Sequence, residues 1–138
     1  MRRYIQTEND DCLRTALACV LEVHPHHMPH FVDVYGAHYW SGARDYMLRR
    51  YQADLNYIPV QAVGKQLFGH IEPPHGYTVG LVKIVRGNKR GGYHAVVCRD
   101  GRIVHDPGGW HKRSWASTFK LLGWVVLRAR SWRYELKG

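Results

Sequence analysis

The order of two hydrophobic periodicities along the chain constrains its fold more than any other feature. Near the N-terminus, apolar residues recur at intervals of three and four over residues 12–22, which is typical of one face of a helix. The second half instead carries short runs rich in β-branched residues, at 77–85, 93–98 and 124–128. Helices followed by strands predict an α+β fold in which the helices pack on a mostly antiparallel sheet.

Capping residues and structure breakers predict the remaining elements. Ser41 is a suitable N-cap for a second helix that extends to about Ala53, and Pro59 cuts short a strand expected within residues 55–63. A hairpin joins residues 93–98 to residues 102–105. A further short helix is expected over residues 116–122. Prolines and glycines predict loops over residues 24–30, 69–76 and 86–92, with irregular chain over 110–114.

Length and composition favour a single cytoplasmic domain. A chain of 138 residues supports one hydrophobic core, so residues 1–138 are expected to form one domain. No apolar run reaches about 18 residues, so neither a membrane span nor a membrane partner is expected. The first ten residues are too polar for a secretory signal. Three cysteines, an odd number, favour a reducing setting over a disulfide framework.

The chain is strongly basic, with a formal net charge of +9. Its Lys and Arg residues cluster at 86–90 and 128–133. Such a balance favours acidic partners, namely nucleic acid, anionic lipid or an acidic protein. No nucleic-acid-binding motif accompanies the charge, so a solvated basic surface is the preferred interpretation.

Cys12 is the candidate nucleophile among the three cysteines. It opens the first helix, where unpaired backbone N–H groups and the helix dipole stabilise an anion such as a thiolate. Asp10 and Asp11 precede it as potential caps. Cys19 lies two turns further into the helix and Cys98 lies in an apolar strand, so both are expected in the core. Taken alone, a cysteine at a helix start also fits a small buried hydrophobe.

A histidine and an acid follow in the predicted hairpin. A three-residue loop at 99–101 would pair residue 98 with 102, and hence His94 with Asp106 on one face of the sheet. A two-residue Asp-Gly turn would shift the register by one and separate them. The hypothesis therefore requires a three-residue loop, or a bulge that corrects the register. In that geometry Asp106 orients His94, and His94 takes the proton from Cys12.

Gln6 and His105 complete the set of candidates. Gln6 precedes Cys12 by six residues, and its amide, with the backbone N–H of Cys12, is suited to holding an oxyanion. His105 offers an alternative base beside Asp106. It would point to the opposite face of its strand, however, so His94 is preferred.

In these features the chain resembles the papain-like cysteine peptidases, most closely the bacteriocin-processing, double-glycine leader peptidases and their free-standing relatives. Those proteins show a Gln, then Asp-Cys at the same spacing, a later His followed by small and β-branched residues, and an Asp-Pro after the next strand. The matching positions here are Gln6, Asp11-Cys12, His94-Ala95-Val96-Val97 and Asp106-Pro107. The resemblance spans residues 4–22 and 77–110. One departure is Leu13, where the family usually has Gly.

The resemblance implies a compact papain-like cysteine peptidase, of phage or bacterial type, that cleaves a peptide or isopeptide bond in a protein or peptide substrate. Cys12, His94 and Asp106 would be its triad, and Gln6 would contribute to its oxyanion hole. Acyl transfer or deamidation by the same thioester chemistry is a close alternative. A catalytically inactive basic protein that binds nucleic acid or an acidic protein is an alternative of another class.

No cofactor or metal is expected. The run of His24, His26, His27 and His30 suggests a metal site, but its prolines disfavour a helix and no Cys or carboxylate stands in a ligand pattern beside it. A loop that packs Met28 and Phe31 onto the core is the preferred interpretation. The glycine-rich segment 86–92 lacks the strand-then-helix context and the final Lys-Ser/Thr of a phosphate-binding loop.

Overall fold

The computed structural model describes residues 1–63, 72–84, 92–109 and 119–129. Within these ranges the helices largely precede the strands, as the sequence predicts. The elements, in chain order, are α1 (Cys12–Leu21), α2 (Phe31–Tyr35), α3 (Tyr39–Tyr51), β1 (Ala53–Pro59), β2 (Tyr77–Ile84), β3 (Tyr93–Arg99), β4 (Arg102–His105) and β5 (Phe119–Ala129). Short 3₁₀ turns lie at Pro25–His27, Gly36–His38 and Val60–Ala62.

The five strands form one sheet in the order β1-β5-β2-β3-β4, and every neighbouring pair is antiparallel. Strands β2, β3 and β4 follow one another as hairpins. β5 comes last in chain order but lies between β1 and β2, so it joins strands that are far apart in sequence. The predicted α+β class with an antiparallel sheet is confirmed.

The helices cover one face of this sheet. α1 packs against β2 and β3, and α3 packs against β1. Leu17 of α1 and Met47 of α3 are fully buried there, in one cluster with Val97 of β3. Burying a side chain of this size contributes roughly 1.5–3 kcal/mol. Because side chains alternate along a strand, Val96 of β3 faces the other way, where it packs in a second cluster with Trp124 of β5.

Two predicted elements are wrong in part. α3 begins at Tyr39, so Ser41 lies inside the helix and is not its N-cap; the 3₁₀ turn Gly36–His38 leads directly into the helix instead. The predicted helix 116–122 is strand from Phe119 onwards. Antiparallel pairing with β2 determines this conformation, since Phe119 pairs with Ile84 and tertiary pairing overrides a local apolar pattern.

The other boundaries differ by a few residues or fall beyond the structure. The strand expected within 55–63 spans Ala53–Pro59, ending at the proline. Residues 110–118, residues 69–71 of the predicted loop 69–76 and residues 86–91 of the predicted loop 86–92 lie outside the described residues, and residues 72–76 are loop as predicted. In the described ranges, no helix combines the length and the apolar character needed to span a bilayer.

Candidate active site

Cys12 differs from the other two cysteines in its exposure. It is half-buried and lines a surface cleft, whereas Cys19 and Cys98 are fully buried. Burial raises the pKa of the Cys19 thiol, and it raises that of Cys98 to about 12. These two thiols therefore stay protonated at neutral pH. As predicted, Cys19 and Cys98 are core residues, and Cys12 is the first residue of its helix.

A two-residue turn joins β3 to β4, so the predicted three-residue loop is wrong. Arg99 pairs with Arg102, and Asp100 and Gly101 lie between them with φ values of 50° and 84°. Positive φ at both positions is typical of type I′ hairpin turns, which favour Asp-Gly. The carboxylate of Asp100 also accepts a hydrogen bond from the Gly76 backbone N–H at 2.7 Å, which anchors the turn to the chain ahead of β2.

A β-bulge then corrects the register. Cys98 pairs with Ile103, but the next pair along is Val97 with His105, which leaves Val104 as an extra residue in β4. The short turn and the inserted residue each shift the pairing by one position, and a total shift of two leaves every side chain on the face expected for a three-residue loop. The histidine and the aspartate of the predicted pair therefore return to one side of the hairpin, by the second of the two routes that the sequence left open.

His94 and Asp106 form a short, buried contact. His94 Nε2 donates to Asp106 Oδ1 at 2.5 Å, and their side chains are 9% and 1% exposed. The Gly108 backbone N–H donates to the same carboxylate oxygen at 2.8 Å. The ring of Phe119 lies beside the imidazole, with centroids 5.6 Å apart. Asp106 and Phe119 together hold the imidazole in place and limit the access of water to it.

The other side of His94 faces the thiol. Burial lowers the pKa of His94, but hydrogen bonds with Asp106 and Cys12, and attraction by their negative charges, outweigh it and raise the pKa from 6.5 to about 9. Since Nε2 is engaged by Asp106, Nδ1 is the ring nitrogen that remains for Cys12. The arrangement favours the protonated imidazole of His94 at neutral pH.

Gln6 is attached to the segment that carries Asp106. Its backbone N–H donates to Pro107 O at 2.7 Å, and its Nε2 donates to Glu8 O at 3.3 Å. Its Oε1 is buried, with no hydrogen-bond partner among the described residues. A primary amide has two N–H donors, so one remains beyond the bond to Glu8. The link between Gln6 and Pro107 was not predicted from the sequence.

His105, the alternative base, has a different partner. It is 6% exposed, and its Nε2 donates to Tyr4 O at 2.7 Å. This bond ties the N-terminal segment to the sheet. The preference for His94 is consistent with that placement.

Sequence reasoning did not identify several residues that shape the site. Gly108 lies so close that a Cβ there would stand 3.0 Å from the His94 ring. Arg14 is buried on α1. A charged residue among the apolar residues of a helix is the sequence signal that could have identified it. Beside Cys12 and His94 lies a cleft of about 80 Å³. Its other lining residues are mostly apolar or aromatic: Leu13, Tyr39, Trp40, Leu81, Tyr93 and Ala95.

The residues around the His-rich loop do not suit a cation. As predicted, Met28 and Phe31 pack into the core, at 3% and 2% exposure. In the described part of the chain, Glu8, Asp11 and His30 bring potential ligand atoms within 4.8 Å of one another. Arg14 forms ion pairs with both carboxylates, however, so these acids already have their counter-charge.

Comparison of the chain with protein-family models, with curated proteins and with solved structures gives no match.

Proposed function

We propose that this protein is a thiol hydrolase of compact papain-like α+β fold, with Cys12 as its nucleophile. The observation that carries the proposal is the contact of His94 with Asp106 on one side and with Cys12 on the other. A cysteine, a base and an acid in this order form the general arrangement of an activated nucleophile. Cys12 also lies at a helix N-terminus, where a thiolate is stabilised.

The reaction would proceed through a thioester. Cys12 Sγ attacks the carbonyl carbon of an amide, its proton passes to His94, and the new C–S bond forms a tetrahedral oxyanion. The Cys12 backbone N–H and the Gln6 amide would hold that oxygen. His94 then protonates the leaving nitrogen as the C–N bond breaks. Water attacks the thioester and gives its proton to His94, which releases the acid and restores the thiol.

The substrate would be a peptide or isopeptide bond in a protein or peptide. The cleft beside Cys12 supports an apolar or aromatic side chain near the reacting carbonyl, since Trp40 and the exposed Tyr39 and Tyr93 line it. Leu13 follows the nucleophile and lines the same cleft, where its side chain would narrow the approach of a substrate. An amine in place of water would turn hydrolysis into acyl transfer with the same residues.

Alkylation with iodoacetamide tests the nucleophile. At about pH 6.5, where an ordinary thiol of pKa about 8.5 is mostly protonated, Cys12 should react at least tenfold faster than Cys19 or Cys98. Peptide mapping by mass spectrometry assigns the label to each cysteine. His94→Gln should abolish the advantage of Cys12, while His75→Gln, at a histidine whose side chain is 86% exposed, should not. Slow and unselective labelling of the wild type would contradict the proposal.

A further inference from the structure

We propose that Arg14 is a positioning residue for both groups that would bind the oxyanion, the Cys12 N–H and the Gln6 amide. It would act through the turn loop (residues 7–11), which connects them. This inference rests on the proposed function, and it adds a residue that no step of the thioester chemistry requires.

Arg14 forms a dense set of charged hydrogen bonds in a buried place. Its side chain is 7% exposed. Nε and Nη2 donate to the two carboxylate oxygens of Asp11, each at 2.7 Å, and Nη2 also donates to Glu8 Oε2 at 2.6 Å. Nη1 donates to Met28 O at 3.3 Å. A planar guanidinium that binds one carboxylate through two donors fixes its orientation as well as its position.

The first consequence concerns the backbone N–H of the nucleophile. Arg14 holds the side chain of Asp11, and the Asp11 carbonyl accepts from the backbone N–H of Thr15 at 3.1 Å and from its hydroxyl at 2.8 Å. That carbonyl shares a planar trans peptide with the Cys12 N–H, so the two groups point in opposite directions. Because both the side chain and the carbonyl of Asp11 are held, the direction of the Cys12 N–H is fixed as well.

The second consequence concerns Gln6. The Glu8 carboxylate is held by Arg14, and the Glu8 carbonyl accepts the amide of Gln6. Between Glu8 and Asp11 the chain turns sharply, with Asp10 at φ 56°. His30 Nε2 holds this turn by donating to Asn9 O at 2.8 Å. One guanidinium thus connects to both proposed oxyanion-binding groups.

The charge of Arg14 has a role of its own. Asp11 directly precedes Cys12, and its carboxylate would repel a thiolate or an oxyanion forming next to it. The guanidinium of Arg14 neutralises this repulsion. Asp11 is 2% exposed, so Arg14 rather than water is the partner of its carboxylate.

Two reagents separate positioning from general support of the fold. With p-nitrophenyl acetate, Cys12 Sγ forms an S–C bond through a tetrahedral oxyanion, and the C–O bond to p-nitrophenolate breaks. Iodoacetamide instead loses iodide in a direct displacement and forms no oxyanion. In Arg14→Lys we expect acylation of Cys12 to fall about tenfold, part of the effect of losing an oxyanion donor, while alkylation changes by less than about twofold.

Further variants keep the test valid if Arg14→Lys does not fold. Glu8→Gln removes one charge from a side chain that is 53% exposed, and should lower acylation about threefold with the same selectivity. Glu72→Gln, at a glutamate 61% exposed, is the matched control and should alter neither rate. Gln6→Ala should also lower acylation alone. Adding Glu8→Gln to Gln6→Ala should have little further effect, because both act through one amide.

The outcomes are distinguishable. A selective loss of acylation in the Arg14 and Glu8 variants, with non-additivity against Gln6→Ala, supports the inference. Equal loss of both rates, unchanged rates, or full additivity overturns it while the thiol hydrolase stands. If the wild type releases no p-nitrophenolate in a burst that Cys12→Ala removes, the proposed function has failed, and the inference with it.

Discussion

At the scale of single residues, His94 lies between an acid and a thiol that both favour its protonated form. The acid is the buried Asp106, whose Oδ1 lies 2.5 Å from His94 Nε2. Removing a ring of this kind from water ordinarily favours the neutral state. That the pKa of His94 nevertheless rises to about 9 means that its two partners outweigh the desolvation, so the proton on His94 links the site to the stability of the fold.

The pH dependence of unfolding should reveal this link. The pKa of His94 is about 9 in the folded state against 6.5 for an ordinary histidine. Its contribution is therefore complete below pH about 6.5 and is lost as the pH rises through about 9. Between these values the unfolding free energy should fall by roughly 1–3 kcal/mol more in the wild type than in His94→Gln.

Urea denaturation at several pH values, followed by tryptophan fluorescence, measures this difference. His75→Gln is the matched control, because the side chain of His75 is 86% exposed. A wild type and a His94→Gln variant with parallel pH profiles would show that the proton on His94 adds nothing to the fold.

Some of these residues are predictable from the sequence and others are not. Cys12 and the His94–Asp106 contact follow from a helix start and from strand periodicity, which are local patterns. Arg14 and Gly108 act through neighbours that the fold brings close. Arg14 bonds to Asp11 within one helical turn, which is locally foreseeable, but its bond to Met28 depends on how the loop 24–30 packs.

At the scale of elements, the β3–β4 hairpin shows how two local deviations combine. The type I′ turn shifts the pairing by one position and the bulge at Val104 shifts it by one more, so each side chain keeps the face that a three-residue loop would give it. The turn chemistry of Asp100-Gly101 is readable from the sequence, whereas the bulge is not, because it depends on the contacts of β4 with the rest of the fold. The sequence therefore predicted the contact of His94 with Asp106, but not the turn and bulge that produce it.

The segment after β4 packs against the His94 ring, and a substitution at Gly108 tests whether this close packing matters. A methyl group there would stand 3.0 Å from His94 Nε2 and 3.1 Å from Asp106 Oδ1, so one of them must move. Gly108→Ala should slow the alkylation of Cys12 about tenfold, since small displacements of catalytic groups have large effects. Overpacking of this kind should also lower the unfolding free energy by roughly 1–3 kcal/mol.

Gly92→Ala is the control for that variant, because nothing lies within 4 Å of the added methyl group. It should change the alkylation rate little and the unfolding free energy by less than about 0.5 kcal/mol. Equal behaviour of the two variants would mean that Gly108 exerts no steric control over the pair.

At the scale of the whole molecule, the N-terminal segment (residues 1–6) connects the helical layer to the sheet. On one side its backbone bonds to Cys19 of α1, through Arg2 and Tyr4. On the other, Tyr4 O accepts from His105, and the Gln6 N–H donates to Pro107 O. Such contacts join residues far apart in sequence, which is why the sequence alone did not predict them. They make the proposed site depend on the assembly of both layers.

Replacement of His105 tests this connection and separates the two candidate bases. Loss of a buried hydrogen bond, which leaves Tyr4 O with only the weak 3.8 Å bond from the Cys19 thiol, should lower the unfolding free energy of His105→Ala by roughly 1–3 kcal/mol. His75→Ala, at an exposed histidine, should change it by less than about 0.5 kcal/mol. Below the unfolding transition, Cys12 of His105→Ala should keep its selective reaction with iodoacetamide, because the contacts of His94 with Asp106 and Cys12 do not involve residue 105. If instead His105→Ala were as stable as the wild type and lost that selectivity, His105 would be the base and its bond to Tyr4 would not support the fold.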